Sequence, residues 1–400
     1  MRSKFNAAAT IMTSTARLFA PGPVEVHERV RKVLGLRAMH HRSPEFRAVL
    51  GKTRALLRRA WQAPDGWEPL MFSSSGSGAM EAAVVNFMRR GEKAITVSAG
   101  KFGERWGRIL ATYGCEPIEL KLEWGKACDV EQVLELVDRH PEARAVFLTS
   151  ADTSTGAAHP IAELGPAIRR KTDALIVVDS VCDFGGEDVN PAQWQVDVAV
   201  SASQKCLGLP PGLGLAVVGP RAWSFSKTAD LPRFYFDWRL ELARHLENLT
   251  GNTSAVGLIC GLAESLTMIE EEGLAQVVAR HRRHGGAVRA AMNALGLDWL
   301  PESPASVLTV VKCPDGLNGK QVVTHLTDRY GYRIANGQDQ LEGKVFRLGH
   351  MGALTQADIL SLIERVEDSL RDLGLPAAGQ GRAVLAAEAY IASQLQVAAE

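Results

Sequence analysis

Ala174-Leu-Ile-Val-Val-Asp-Ser180 decides the fold: four apolar residues in a row lead into an acid. A short unbroken apolar run ending in turn chemistry reads as a strand covered on both faces, not as the alternating strand of a half-wet sheet. Similar runs stand at 95–97, 118–122, 145–149, 198–201 and 215–219. Helix-period patterns fall between most of them, at 79–90, 104–113, 130–139 and 161–170. This alternation predicts an α/β domain with a mostly parallel sheet, covered by helices, whose ligands sit at the carboxyl ends of the strands. Beyond it lie a long helical stretch at 256–271, further helical patterns at 273–295, 319–330 and 355–373, and strand-like runs at 307–312 and 344–348. They read as a smaller C-terminal α+β domain. The expected layout is an N-terminal arm (1–20), a large domain (21–270), a small domain (271–375) and an appended Ala-rich helix (376–400).

Composition narrows the function. The chain has 400 residues, 45 basic against 45 acidic, and a formal net charge of zero. That removes the electrostatic case for nucleic acid or an anionic membrane as partner. No apolar run approaches the roughly eighteen residues needed to cross a bilayer. None of the six cysteines has metal-ligand spacing, so reduced thiols are expected and no metal. A cytoplasmic enzyme is the default expectation. Residues 1–24 carry Arg2, Lys4 and Arg17 and no acid, a bias shared with organelle transit segments, but a flexible arm without a cleavage signal is the preferred reading.

Three stretches carry chemistry. In Ser201-Ala-Ser-Gln-Lys-Cys-Leu-Gly-Leu-Pro-Pro-Gly-Leu-Gly214, Lys205 follows an apolar strand and precedes a rigid Pro-Pro-Gly turn. Most lysines are solvated; a crowded one has a lowered pKa and can form a Schiff base. Asp179 ends its strand, where an ordinary turn or cap aspartate also belongs. Its functional reading is a carboxylate that holds a proton on a ring nitrogen, as pyridoxal-phosphate enzymes require. Phe72-Ser-Ser-Ser-Gly-Ser-Gly-Ala-Met-Glu81 opens a helix with small residues, letting backbone amides approach a phosphate. It is neither a Walker loop nor GxGxxG, and alone reads equally well as a helix cap.

In combination these stretches are specific. The chain resembles the class V aminotransferases of fold type I, pyridoxal 5′-phosphate enzymes, most nearly the alanine–glyoxylate, serine–glyoxylate and serine–pyruvate branch. The resemblance runs from Leu18-Phe-Ala-Pro-Gly-Pro23 to about Leu373. It passes through His40-His-Arg-Ser-Pro-Glu-Phe46, Gly100-Lys-Phe-Gly-Glu-Arg-Trp106, Thr153-Ser-Thr-Gly156 and Gly343-Lys-Val-Phe-Arg-Leu-Gly349. It implies that Lys205 carries the cofactor as a Schiff base and shuttles the substrate proton, with Asp179 against the pyridine nitrogen. It further implies that Phe102 stacks on the ring, that Ser75, Gly76 and Ser77 cup the phosphate with Gln204 beside them, and that Ser154 sits near the phenolic oxygen. Thr253 would reach the phosphate of a neighbouring subunit, implying a homodimer with shared sites. Arg347 would take the substrate α-carboxylate in a bidentate pair.

Two positions depart from the resemblance. An aromatic residue expected near Thr250 is missing, and Asp183 stands where a small residue is expected. The leading expectation is ping-pong transamination between a small amino acid, such as alanine or serine, and a 2-oxo acid such as glyoxylate or pyruvate. The rivals are an aminotransferase or lyase acting on an unusual amine in specialised metabolism, cysteine desulfurase-like cleavage, and a non-catalytic cofactor-binding subunit. Gln204 before the lysine, where desulfurases usually carry His, weighs against the second rival. Intact Lys205, Asp179 and Arg347 weigh against the third.

Overall fold

The computed structural model describes residues 16–397; most of the stretch read as an N-terminal arm lies outside them. The first half of the chain runs β1 (Arg17–Leu18), α1 (Glu28–Leu34), α2 (Pro44–Ala60), β2 (Glu68–Ser73), α3 (Gly76–Phe87), β3 (Lys93–Ser98), α4 (Lys101–Thr112), β4 (Glu116–Lys121), α5 (Val130–Arg139), β5 (Ala145–Thr149), α6 (Ile161–Lys171) and β6 (Leu175–Asp179). Then come β7 (Val198–Ala202), β8 (Leu213–Val218), α7 (Ala222–Ser226), α8 (Trp238–Leu246), α9 (Val256–Glu272) and α10 (Leu274–Ala294). The chain ends with β9 (Leu308–Lys312), α11 (Gly319–Tyr330), β10 (Tyr332–Arg333), β11 (Ala335–Asn336), β12 (Val345–Gly349), α12 (Gln356–Asp372) and α13 (Arg382–Val397).

Seven strands form one sheet in the order β2-β8-β7-β6-β5-β3-β4. Every neighbouring pair is parallel except the two that involve β8. The apolar run around Asp179 behaves as its composition requires. Leu175 and Val177 enter one buried cluster with α3 and α4, while Ile176 and Val178 enter another with α5 and α6. A strand apolar on both sides can sit only where helices cover both faces. The carboxyl ends of β2, β5, β6 and β7 therefore open on one edge, and the loops after them carry the residues singled out above.

Helix starts follow local chemistry. Ser43 caps α2, with Pro44 in its first turn, and Ser75 caps α3 through its hydroxyl. The capping pairs Asn318/Gln321 and Thr355/Asp358 start α11 and α12. The sequence reading did not mark α1, α2, α8 or β2 as elements. It placed the start of α3 three residues late, because Gly76, Ser77 and Gly78 look like loop until the cap at Ser75 is recognised.

In the smaller C-terminal unit, α10–α13 pack on a three-stranded antiparallel sheet, order β11-β12-β9. Two segments read as appendages enter its core. Phe19 is buried there, and β1 pairs in parallel with β10. Gly349 lets that segment pass: a Cβ on it would come within 2.4 Å of the Ala20 carbonyl oxygen. Helix α13 buries Ala383, Ala387 and Ile391 in the same cluster. Among the described residues no helix is long and apolar enough to cross a membrane, and no group of three or more His, Cys, Asp and Glu could hold a metal.

Candidate active site

A cavity of about 270 Å³ opens at the carboxyl edge of the sheet. Strand β7 ends at Ala202, and the loop behind it is tied to itself. The Ser203 hydroxyl donates to the Pro210 carbonyl at 2.7 Å and accepts from the Leu213 amide at 3.2 Å. This closed loop, stiffened by Pro210 and Pro211, turns Lys205 into the cavity, where it is 7% exposed. Its Nζ donates to the Pro21 carbonyl and to Thr153 Oγ1 at 3.2 Å. Burial holds its pKa below the ordinary lysine value.

Asp179, the last residue of β6, lines the same cavity and is buried. Burial pushes its carboxyl up to about 7, against the Val181 amide, which donates to Oδ1 at 2.8 Å. The nearby charges of Arg105 and Lys205 also favour its ionised form, while Asp152 opposes it. Ser75, Gly76 and Ser77, in the cap and first turn of α3, form another part of the wall, with Gln204 and Phe102.

The other expected residues lie differently. Ser154 does not line the cavity. Its hydroxyl donates to Asp152 Oδ1 at 2.5 Å and accepts from the Lys101 amide at 3.0 Å. Its neighbour Thr153 faces the cavity instead. Arg347 is buried in β12, just beyond the wall: Nη1 donates to the Thr153 carbonyl and Nε to the Asn336 carbonyl, both at 2.9 Å. It makes no ion pair among the described residues, and burial draws its pKa down to about 10. Thr253 is exposed on the loop before α9 and touches no part of this cavity. Asp183 is buried behind the site; it accepts from the Ser150 hydroxyl at 2.8 Å, and burial pushes it up to about 7.

Sequence reasoning missed Asp152, Thr153, Val181 and Arg105. Asp152 Oδ2 accepts from the Phe102 amide at 2.9 Å and the Gly103 amide at 3.1 Å, anchoring the first turn of α4 and thereby Phe102. Gly100 makes room for it: a Cβ there would lie 2.5 Å from the carboxyl carbon. An acid directly before Thr153-Ser-Thr-Gly156 was the available signal. Arg105 stands in the quoted stretch 100–106, one helical turn beyond Phe102, but nothing there marks it as a cavity residue; it reaches the cavity only through the packing of α4 on the sheet.

The residues fit pyridoxal 5′-phosphate. The cavity brings together a desolvated amine, a buried acid, an aromatic ring and a helix N-terminus. It also holds an unmet need: Gln204 Oε1 is buried without a partner among the described residues. A larger open groove, about 830 Å³, runs along α11, but none of the expected site residues lines it.

Residues 25–351 match the family described as aminotransferase class-V. The chain is 35% identical over 375 residues to the L-aspartate–glyoxylate aminotransferase of Paracoccus denitrificans, covering 91% of this chain and 93% of that one. It is 31% identical over 399 residues to the serine–glyoxylate aminotransferase of Methylorubrum extorquens, covering 96% and 98%. The crystal structure of the pyridoxamine–pyruvate aminotransferase of Mesorhizobium loti superposes with a TM-score of 0.90 at 26% identity, covering 95% of this chain and 98% of that one.

Proposed function

The chain belongs to the class V aminotransferases, fold type I enzymes that work with pyridoxal 5′-phosphate, and from that premise we propose that it moves an amino group from a small amino acid to glyoxylate or pyruvate by ping-pong transamination. The three relatives above differ in the donor printed in their names, aspartate, serine or pyridoxamine, but all take a small 2-oxo acid as acceptor. The observation that carries the reading is a buried lysine and a buried acid on one cavity wall, Lys205 and Asp179.

When bound, the cofactor supplies an aldehyde for an amine and a ring that accepts the electron pair left when Cα loses its proton. The chain supplies the rest. Burial keeps a larger share of the Lys205 amine unprotonated, so Nζ is both nucleophile and base, holding a proton taken from Cα. Asp179, stripped of water, binds a cationic ring nitrogen more strongly than a solvated carboxylate would. The Val181 amide fixes which carboxylate edge faces the cavity. Phe102 offers an aromatic face, and Ser75, Gly76, Ser77 and Gln204 offer donors for a phosphate. Arg347, with no carboxylate partner among the described residues, is suited to hold the substrate α-carboxylate and so would decide which Cα bond breaks. Thr153, which accepts from Lys205 through its hydroxyl and from Arg347 through its carbonyl, is better placed than Ser154 for the role near the phenolic oxygen that the resemblance implied.

A homodimer is part of the reading. Phe234 is 84% exposed, and Tyr235, Leu240 and Leu246 are exposed with it. Tyr235 donates to the Ser73 carbonyl, two residues before the Ser75 cap, which ties this exposed segment to the strand leading into the phosphate cup. Thr253, exposed on the nearby loop, is then available to a second subunit.

The test is direct. Purified protein should carry the yellow colour of a protonated Schiff base and bleach when the right donor is added. Double-reciprocal plots should be parallel, and Lys205→Ala should abolish turnover. Normal rates in that variant, or intersecting plots, would defeat the assignment.

A further inference from the structure

Three charged side chains line the cavity: Lys205, Asp179 and Arg105. The first two have work to do; Arg105 has none yet. It sits on α4 with its guanidinium carbon 4.6 Å from the centroid of the Phe102 ring. Its Nη1 donates to Ser77 Oγ at 2.6 Å. Among the described residues it makes no ion pair, unlike Arg169 and Arg221, which share the carboxylate of Asp197. Burial lowers its pKa, and Asp179 and Asp152 act on it only through longer-range attraction. A half-buried guanidinium without a carboxylate is costly, and the cost is removed when an anion enters beside it.

The place of that anion follows from Ser77. This residue lies in the first turn of α3, where the leading backbone amides have no acceptor within the helix and the helix dipole favours negative charge. The Ser77 hydroxyl is where that helix end and the guanidinium meet. Contact with the Phe102 ring on one side and the bond to Ser77 on the other restrict the planar fork, so less rotamer freedom is lost when it grips a phosphate.

We propose that Arg105 is the cationic anchor of the cofactor's phosphate group, closing the cup that Ser75, Gly76 and Ser77 begin. This rests on the cavity being the pyridoxal 5′-phosphate site. The anchor reads phosphate and leaves the ring to Asp179 and Phe102, so phosphate-bearing and phosphate-free forms of the cofactor separate its role from theirs.

Cofactor-free wild-type, R105K, R105A and S77A proteins are titrated with pyridoxal 5′-phosphate and with pyridoxal, followed by visible absorption, with inorganic phosphate as competitor. R105A should weaken pyridoxal 5′-phosphate by about 10- to 100-fold, the scale of a lost hydrogen bond to a charged group. It should leave pyridoxal binding unchanged and abolish competition by inorganic phosphate. R105K should fall between, keeping charge without the fork. Circular dichroism checks that each variant is folded, and R105K carries the test if R105A is not. Equal affinity for pyridoxal 5′-phosphate in wild type and R105A overturns the proposal. So does an equal loss for both compounds, which would make Arg105 a support for Phe102 alone. Unchanged cofactor binding with a raised KM only for dicarboxylic donors overturns it in favour of a substrate side-chain site. If wild type binds neither compound, the proposed function fails together with this inference.

Discussion

Replacing Arg347 with alanine isolates what a buried, unpaired cation does for the substrate. Arg347 is 6% exposed, and among the described residues its two hydrogen bonds, from Nε and Nη1, go to backbone carbonyls. An α-carboxylate entering beside Thr153 would pair with the remaining N–H groups in a site that water hardly reaches. Removing the guanidinium leaves that carboxylate unpaired, at a cost of about 2–5 kcal/mol. At roughly 1.4 kcal/mol per decade, kcat/KM for α-amino acids should fall by about thirty- to several-thousand-fold. Arg347→Lys should recover part of it, since a point charge replaces one arm of a bidentate pair. The assay is half-transamination on the stopped-flow, comparing an amino acid with the amine that lacks its carboxylate. The amine should be indifferent to the substitution, and cofactor affinity should not move. If amine and amino acid lose rate in equal proportion, Arg347 is a structural residue and the reasoning fails.

Other expectations follow from the same geometry. Asp179→Asn keeps the shape of the acid but not its charge, and should slow turnover by about 10²–10⁴-fold; a rate within a few-fold of wild type would refute its role. Because burial raises Asp179 to about 7, the cofactor-free protein carries it protonated below that pH, so cofactor affinity should weaken as pH falls through 7; a flat titration from pH 8 to 6 would count against it. His281 and His284 are pulled down to about 3, and His350 well below its ordinary value, all by burial, so they stay neutral in the fold while the unfolded chain protonates near 6.5. Between those values the unfolded chain binds more protons, so these groups remove stability as pH drops from about 6.5, and the raised acids Asp179 and Asp183 oppose them. His281→Gln should therefore make the urea midpoint less sensitive to acid, and an unchanged pH slope would be evidence against this account. Glu367, also buried, accepts from the Gly379, Arg382 and Ala383 amides at the start of α13. Glu367→Ala should cost about 1–2 kcal/mol and raise hydrogen exchange in residues 382–397 while leaving the sheet protected; uniform protection would refute the anchor.

The chain's local order carries much of the fold and part of the site. Unbroken apolar runs mark buried strands because only a doubly covered strand tolerates them, and 145–149 and 175–179 are strands to the residue. Lys205 and Asp179 are legible for the same reason: each is a polar residue just past such a run, and a parallel sheet brings strand ends together. The remainder was settled by contacts between segments far apart in sequence. Ser154 and Asp152 act on the start of α4, more than forty residues earlier, and no periodicity records that pairing. Arg105 faces the cavity because α4 packs one particular way on the sheet. Segment 17–19 joins the small domain through pairing with β10, and α13 docks by the buried carboxylate of Glu367. A side chain's type and its neighbours in the chain fix what chemistry it can perform. Whether it is dry, which charge it faces and which cavity it enters depend on burial by distant segments, and those exist only once the chain has closed on itself.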